Sequence, residues 1–444
     1  MYGITIYKNI FNFELFAIDQ WSSNKNSFGY KPFNLSSGLK LKKLLHNSKN
    51  NIRKIFIQLL KKEKSFTPIT SVDIVFILEY SNHCSIYNKI APFLDKKGIS
   101  HVPVFINKIG KYEDSFSNFS FRAFNLQYLI SKMLADIWVI ITSKNYNAVL
   151  EKLLINSKMF LTSYLYYNST RLLKKFYKPR LVVFFRFDGI KDRSLAMGLK
   201  ERDIYSVCIQ HGSVVIHPRF SNPIVNEFIS WSDVYSEFII QSGAQCKITS
   251  IGSVESDELF QRAKKGSQYT NQGKLKLLVM PPSGKSSSLN SDKDLMIHLI
   301  SQLDKKQFEV TLKPHPDDDN LKNKEVAKLS ELRYIRPTSE VDFENYDIII
   351  LNNSTAGLEA AIFKKPLILI AAHEDNIVVN HYLSEGIALL ARNFAELEIA
   401  LGNIKTNYNT YQERCMLFIN KYLDNHGLAA QEMADYLSTK VCVA

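Results

Sequence analysis

The stretch DIIILNNSTAGLEAA, residues 347–361, joins a strand pattern to a helix pattern through a short polar loop. Its uninterrupted run of isoleucine and leucine is typical of a strand that is buried on both faces of a parallel sheet. Ser354 and Thr355 then occupy the position where the N-cap of a helix is expected. A strand followed by a loop and a helix is the repeating unit of α/β domains, so this stretch decides the fold class.

Similar units extend from this stretch in both directions and predict two α/β domains. The polar segment 262–273 has the composition of a linker and separates them. We predict a basic N-terminal extension (1–66), a first domain (67–260), a second domain (274–420) and a C-terminal helical segment (421–444). The strands are predicted at 73–79, 101–107, 138–142, 181–185 and 206–210 in the first domain, and at 276–280, 308–312, 347–351 and 366–370 in the second.

The composition is that of a folded protein with an anionic partner. Of the 444 residues, 45% are hydrophobic and 22% are charged, which argues against disorder and against a collagen-like chain. The formal net charge of +13 suits phosphates, nucleic acid, an acidic glycan or an anionic membrane. Five scattered cysteines without a CxxC pair indicate reduced thiols, not a zinc site or a disulfide framework.

Residues 37–65 combine regularly spaced leucine and isoleucine with many lysines and a single acidic residue, Glu63. This pattern predicts a basic amphipathic helix, which either lies on the inner face of the cytoplasmic membrane or packs on its own domain. We see neither a signal peptide nor a transmembrane stretch, so the expected location is the cytoplasm, with peripheral membrane attachment as an option.

Three loops of the second domain have residues that suit a phosphate. Lys313, His315 and Pro316 follow the predicted strand at 308–312, where a lysine and a backbone-fixed histidine can face a diphosphate; a structural histidine in a proline-rich turn is the alternative. Ser354, Thr355 and Gly357 begin a helix whose exposed amides favour an anion, unless they form an ordinary cap. The remaining candidates are Glu359, for ribose hydroxyls or the helix dipole, and Ser283, Gly284 and Lys285, which do not form a P-loop.

The first domain has candidate catalytic groups at its predicted strand ends. Asp188 directly follows the strand at 181–185, and His211 follows the next one. Glu79, with His83 beside it, follows the strand at 73–79 and is the reserve candidate. A carboxylate and an imidazole at neighbouring strand ends can act as general base or nucleophile. No pattern of ligands indicates a metal site, so we predict metal-independent chemistry.

The KPHP loop at 313–316 and the NSTAGLEA stretch, in a chain of two α/β domains, resemble GT-B glycosyltransferases. The likeness covers roughly residues 180–440 and is greatest to bacterial capsule and lipopolysaccharide transferases, including those that use CMP-activated Kdo or sialic acid. It implies two Rossmann-like domains facing a cleft, with the acceptor on the first, the nucleotide-sugar on the second, and the C-terminal helix crossing back. It also implies that His315, Ser354 and Thr355 contact the donor phosphate and that Asp188 is the base, although Phe187 replaces an acidic residue of the sialyltransferase motif.

The resemblance favours transfer of a sugar, preferably a CMP-activated Kdo or sialic-type acid, to a bacterial surface polysaccharide, lipooligosaccharide or other lipid-linked glycan. The nucleotide-sugar is a substrate, and no cofactor is expected. One alternative is a teichoic-acid-like polyol-phosphate transferase with a CDP donor, although that family usually has Asp-Tyr-Ser-Ser where this chain has Asn-Ser-Thr-Ala. A nucleotide-sugar 2-epimerase would need paired carboxylates that the sequence does not reveal. Nucleic-acid binding is disfavoured because the charge excess is concentrated in residues 37–65.

Overall fold

The computed structural model describes residues 71–106, 166–167, 169–171, 173–216, 220, 223–264, 273–282, 287–315, 332–336, 340–352, 354–372 and 381–443. Several predictions fall outside these residues: the basic helix at 37–65, the strand at 138–142, the loop residues Ser283, Gly284 and Lys285, and Pro316.

The first sheet has six parallel strands in the order β2-β1-β3-β4-β5-β6. Its strands are β1 (Ile74–Leu78), β2 (His101–Phe105), β3 (Leu181–Phe184), β4 (Tyr205–Ile209), β5 (Glu227–Ser230) and β6 (Lys247–Ser250). The helices among them are α1 (Ser81–Lys96), α2 (Ile190–Lys200), α3 (Asp233–Gln241) and, after a 3₁₀ turn at Val254–Ser256, α4 (Asp257–Ala263).

The second sheet also has six parallel strands, in the order β12-β11-β10-β7-β8-β9. Its strands are β7 (Leu275–Met280), β8 (Phe308–Leu312), β9 (Arg333–Tyr334), β10 (Ile348–Leu351), β11 (Leu367–Ile370) and β12 (Ala388–Ala391). The helices that follow β7 along the chain are α5 (Ser287–Ser301), α6 (Ala356–Ile362), α7 (His381–Ser384), α8 (Phe394–Thr406), α9 (Tyr408–Tyr422) and α10 (Ala429–Val443). None of the helices in these described ranges is long and apolar enough to span a bilayer.

The two sheets confirm the predicted α/β fold. Each strand predicted within the described residues is present, with bounds shifted by no more than two residues. The strands β5, β6, β9 and β12 were not predicted. β5 begins with a charged residue, β6 is a largely polar edge strand, β9 has only two residues, and β12 has no β-branched residue.

The last helix belongs to the first sheet. Met433 and Leu437 of α10 are fully buried against α1 and the strand core. The amide of Asp424, just before α10, donates to the Trp231 carbonyl at 2.9 Å. Gly252 has a φ of +116°, and a Cβ there would lie 2.4 Å from the Asp424 carbonyl oxygen, so only glycine allows this approach.

Both sheets have a point at which the strand order reverses. The chain passes from β1 outward to β2 and then returns to place β3 on the other side of β1; in the second sheet β7 and β10 flank the equivalent point. Ligands of open parallel sheets bind in the crevice at the carboxyl ends of such strands. A ligand site is therefore expected at the loops after β1, β3, β7 and β10.

Candidate functional site

A cluster of opposite charges lies at the carboxyl ends of β1 and β3. Glu79 is buried and accepts a hydrogen bond from Lys191 Nζ at 3.2 Å. Arg186 donates through Nε to Asp188 Oδ1 at 3.0 Å, and its Nη1 lies 3.8 Å from Glu79 Oε2. Arg186 also donates to the Tyr80 hydroxyl at 2.8 Å. The structure thus brings together Glu79 and Asp188, with Arg186 between them.

Asp192, in the first turn of α2, is a third carboxyl in this cluster. It is 4% exposed, and its Oδ2 has no hydrogen-bond partner among the described residues. Burial, followed by the nearby charge of Glu79, raises the pKa of Asp192 to about 8, against the opposing effect of Arg186. A Cβ on Gly189 would lie 2.7 Å from this oxygen, so a glycine is needed for the carboxyl to fit.

The loop that holds His211 is fixed by its neighbour in the sequence, Gln210. The Gln210 side chain accepts from the Trp231 amide at 3.0 Å and donates to the Gly212 carbonyl at 2.9 Å. The Trp231 indole donates to the Gln210 carbonyl at 3.1 Å. These bonds define the path of the backbone on both sides of His211, whose half-exposed side chain lies at the carboxyl end of β4.

In the second sheet, Lys313 and His315 follow β8 but differ in exposure. Lys313 is 8% exposed, whereas His315 is exposed. Burial lowers the pKa of Lys313, and the carboxylate of Glu359 opposes this shift. Lys313 is therefore a cation at the edge of the cleft with little water around it, where its attraction to an anion is greatest.

Hydrogen bonds of buried side chains hold the loop after β10 in place. Asn352 is buried and donates to Asp292 Oδ2 at 3.2 Å and to the Ile370 carbonyl at 2.7 Å. Ser354 Oγ accepts from the Ala356 amide at 3.1 Å, and the Tyr382 hydroxyl donates to the Ser354 carbonyl at 3.0 Å. Ser354 and Thr355 remain half-exposed above this base.

Gly357 has a packing role in the structure. The residue is buried, and a Cβ there would lie 2.7 Å from Tyr382 Cε2. The group that approaches this glycine closely is the Tyr382 ring.

Two observations join the sheets into one cleft. A Cβ on Gly212 would lie 4.0 Å from Thr355 Oγ1, so the His211 loop faces the loop after β10. The second observation is a group of charges near the 3₁₀ turn: Lys89 donates to the Glu255 carbonyl at 3.1 Å. Burial, followed by the nearby carboxylate of Glu359, raises the pKa of Glu255 to about 8. Burial also raises the pKa of Glu359 to about 7, against the opposing effect of the Lys313 and Lys89 charges.

The described part of the chain contains no group of three or more histidine, cysteine, aspartate or glutamate side chains that could hold a metal ion. The carboxylates of Glu79 and Asp188 are instead paired with Lys191 and Arg186.

Sequence reasoning missed Arg186, Asp192, Gln210, Lys89 and Glu255. Asp192 could have been found, because it stands one helical turn after Asp188. Arg186 and Gln210 lie within two residues of the predicted candidates Asp188 and His211, but neither was itself predicted. Lys89 and Glu255 had no local signal, since they meet only through tertiary packing.

Solved structures with TM-scores above 0.5 share the fold of this chain. The S. aureus MnaA–UDP co-structure superposes with a TM-score of 0.53 at 11% identity, over 84% of this chain and 98% of that one. UDP-GlcNAc 2-epimerase from Neisseria meningitidis bound to UDP-GlcNAc gives a TM-score of 0.52 at 13% identity, over 82% of this chain and 100% of that one. The wall teichoic acid polymerase TagF gives 0.48 at 14%, over 90% and 98%.

The fold is of the GT-B type, as the sequence resemblance implied. No family model matches the sequence, and the search of curated proteins found no significant match.

Proposed function

We propose that this chain is an enzyme that transfers a sugar from a nucleotide-activated donor during the synthesis of a cell-surface polymer. The observation that carries the proposal is the approach of Gly212 to Thr355, which sets the His211 loop of the first sheet against the loop after β10 of the second. In this arrangement the second sheet holds the donor and the first sheet supplies the group that activates the acceptor.

The donor phosphates are assigned to Lys313, Ser354 and Thr355. Lys313 is a partly desolvated cation at the end of β8, and the two hydroxyl side chains stand at the point where the strand order reverses. His315 lies two residues beyond Lys313 and is exposed, as a contact to a bound ligand requires. A cation and hydroxyl donors stabilise a leaving nucleotide phosphate without requiring a metal ion.

His211 is the best-placed general base. Asp188 forms an ion pair with Arg186 and Glu79 forms one with Lys191, so either carboxylate would have to give up its pair to accept a proton. Histidine is the side chain that most often serves as a general base. His211 takes the proton of the acceptor hydroxyl. The hydroxyl oxygen of the acceptor forms a bond to the anomeric carbon of the donor, and the bond between that carbon and the phosphate oxygen breaks. Asp188 and Arg186 then hold the acceptor.

The preferred donor is a CMP-activated Kdo or sialic-type acid, and the preferred acceptor is a bacterial surface polysaccharide or lipooligosaccharide. The KPHP and NSTAGLEA motifs support this choice through their resemblance to such transferases. We propose further that residues 37–65 hold the enzyme at the inner face of the membrane, close to a lipid-linked acceptor.

The test begins with a thermal-shift screen against CMP, CDP, UDP, GDP and TDP and their sugars, because bound ligand raises Tm by mass action. The donor found in this way is used to compare His211→Asn with wild type. We expect the variant to bind the donor normally and to transfer sugar about 100-fold more slowly or worse. His298→Asn is the matched control, because His298 is an exposed histidine on α5. Normal transfer by His211→Asn contradicts the proposal.

Nucleotide-sugar 2-epimerisation is a second candidate. It is favoured by the fold shared with 2-epimerases and by the carboxyl groups of Glu79, Asp188 and Asp192, of which Asp192 holds a proton near neutral pH. A protonated and an ionised carboxyl side by side can return and remove a proton on a substrate carbon. Incubation of the donor in D₂O without acceptor separates the candidates, since only epimerisation puts deuterium on the sugar carbon.

A further inference from the structure

Tyr382 is a buried tyrosine whose hydroxyl reaches the loop after β10 from another element, α7. Its side chain is completely buried, with the ring centroids of His381 at 4.8 Å and Phe418 at 5.6 Å from its own. The ring also occupies the space where a Cβ of Gly357 would stand. These contacts hold the phenol in one place, so its hydroxyl has a fixed position beneath the loop.

The hydroxyl of Tyr382 donates to the Ser354 carbonyl at 3.0 Å. The other bonds of Ser354 and Thr355 are made to near neighbours in the sequence. The Ser354 carbonyl also accepts from the Gly357 amide at 3.2 Å, and the Thr355 carbonyl accepts from the Leu358 amide at 2.9 Å. Local bonds of this kind move with the loop and do not fix it relative to the sheet. Within the part of the chain that the structure describes, Tyr382 is the one residue of another element that bonds to Ser354 or Thr355.

The hydroxyl of Ser354 is left as a donor. Its oxygen accepts from the Ala356 amide at 3.1 Å, and its proton has no acceptor among the described residues. A serine hydroxyl carries one proton and accepts through its lone pairs, so the capacity that remains is that proton. The residue is half-exposed, and the proton is therefore available to an oxygen of a bound phosphate.

We propose that Tyr382 is a positioning residue that holds Ser354 where its hydroxyl donates to the donor phosphate. The inference rests on the proposed function, in which Ser354 contacts that phosphate. The peptide unit is planar, so a bond that fixes the Ser354 carbonyl also limits rotation of the backbone from which the side chain projects. A phenylalanine ring would fill the same pocket but could not make this bond. A contact whose support is lost is misplaced by a fraction of an ångström to 1 Å, which is enough to weaken it.

Two variants test the role. Tyr382→Phe keeps the ring beside Gly357 and removes only the hydroxyl. Tyr408→Phe is the matched control: Tyr408 is also buried, and its hydroxyl donates to the Asp347 carbonyl at 3.0 Å, just before the amino end of β10. Each variant thus loses one tyrosine bond to a backbone carbonyl, at opposite ends of the same strand. A purely structural role predicts the same result for both.

The first readout is hydrogen exchange of the full chain followed by mass spectrometry, which needs no substrate. We expect Tyr382→Phe to raise the deuterium uptake of peptides that cover residues 354–362, because the loop loses its bond to α7. Tyr408→Phe should leave the uptake of these peptides at the wild-type level. Equal uptake by these peptides in the two variants would overturn the proposal.

The second readout is the affinity for whichever of CMP, CDP, UDP, GDP and TDP raises the Tm of wild type most, measured by calorimetry. We expect Kd to rise about 5-fold in Tyr382→Phe, the scale of one net hydrogen bond, and by less than about twofold in Tyr408→Phe. An unchanged Kd in Tyr382→Phe would show that its hydroxyl serves only the fold, which overturns the proposal.

A double-variant cycle tests whether Tyr382 acts through Ser354. Ser354→Ala removes the hydroxyl that is held in place, so adding Tyr382→Phe to it should raise Kd by less than about twofold more. A further rise of the full 5-fold would mean that Tyr382 acts on another group, and the proposal would be wrong. Failure of the wild type to bind any of the nucleotides would instead reject the proposed function, while hydrogen exchange still reports whether Tyr382 holds the loop.

Discussion

The two ends of the first sheet bury carboxylates in opposite ways. At the amino end, Glu227 begins β5 and is completely enclosed, yet it bonds to Thr249 Oγ1 at 2.7 Å and pairs with Lys440 at 3.0 Å and Lys247 at 3.1 Å. Burial raises its pKa, but the hydrogen bonds from Tyr436, Thr249 and the two lysines outweigh burial and hold it at about 2.

At the carboxyl end, Asp192 is buried to a similar degree with one oxygen unbonded, and its pKa is raised to about 8. The two ends differ in whether the protein itself supplies hydrogen-bond partners for its buried carboxylate oxygens. Every partner of Glu227 comes from the chain, so this end stabilises the fold; the carboxyl end retains unsatisfied groups at the edge of a cleft, which is typical of a functional site.

The largest expected effect is on stability and comes from a change at the amino end of the first sheet. Glu227→Ala removes the acceptor that Tyr436, Lys440 and Thr249 share, and with it the attachment of α10. We expect the free energy of unfolding to fall by about 3 to 5 kcal/mol, as for other broken buried pairs, with turnover per folded molecule unchanged. Urea unfolding followed by circular dichroism measures the fall. A loss below 1 kcal/mol would contradict the view that the partners of Glu227 stabilise the fold.

Asp188→Asn is the corresponding change at the carboxyl end, and we expect it to affect rate instead of stability. The amide cannot pair with Arg186 as a carboxylate does, so the acceptor site loses its order. Transfer should slow by about 100-fold, or 2.7 kcal/mol, the scale expected for a misplaced substrate, with Tm nearly unchanged. Steady-state kinetics with the identified donor measure it. Near-normal transfer would reject this role for Asp188 and leave Glu79 as the candidate.

The pH dependence of stability tests the difference between Asp192 and Glu227. Its pKa in the folded protein, about 8, lies above the ordinary value of 3.8, so the folded state binds this proton more tightly than the unfolded chain does. Its contribution to stability is therefore present in acid and is lost as the pH rises from about 4 to about 8. Asp192→Asn should remove that decline and gain at least ~1 kcal/mol over wild type at pH 8. Parallel declines in the two proteins would contradict the raised pKa.

The smallest expected effect is that of EDTA. The carboxylates of the cleft are already paired with Arg186 and Lys191, and a divalent ion would have to displace them. We expect transfer rates with and without EDTA to agree within about twofold, on the view that cationic side chains stabilise the leaving group. Loss of turnover that Mg²⁺ or Mn²⁺ restores would reject this prediction.

Sequence reasoning found those parts of the fold and site that have a local pattern. β10 was evident because Ile348–Leu351 is a continuous apolar run, and Asp188 and His211 were evident because each follows such a run. β5 was missed because it begins with Glu227, a charged residue that is buried only through partners from three other elements.

The missed part of the site has the same cause. Asp192 fits only because Gly189 lacks a side chain, and the proximity of Gly212 to Thr355 joins residues about 140 positions apart. No local spacing indicates either relationship.

The position of α10 has a consequence for how the chain folds as it is synthesised. The core of the first sheet includes Met433 and Leu437, which leave the ribosome only after the whole second sheet. Domains generally fold from the N-terminus as they emerge, but here the earlier unit must wait with part of its apolar surface uncovered. We therefore expect the second sheet to be the first to become protease-resistant on stalled ribosomes, and the unit made first to be the last to close.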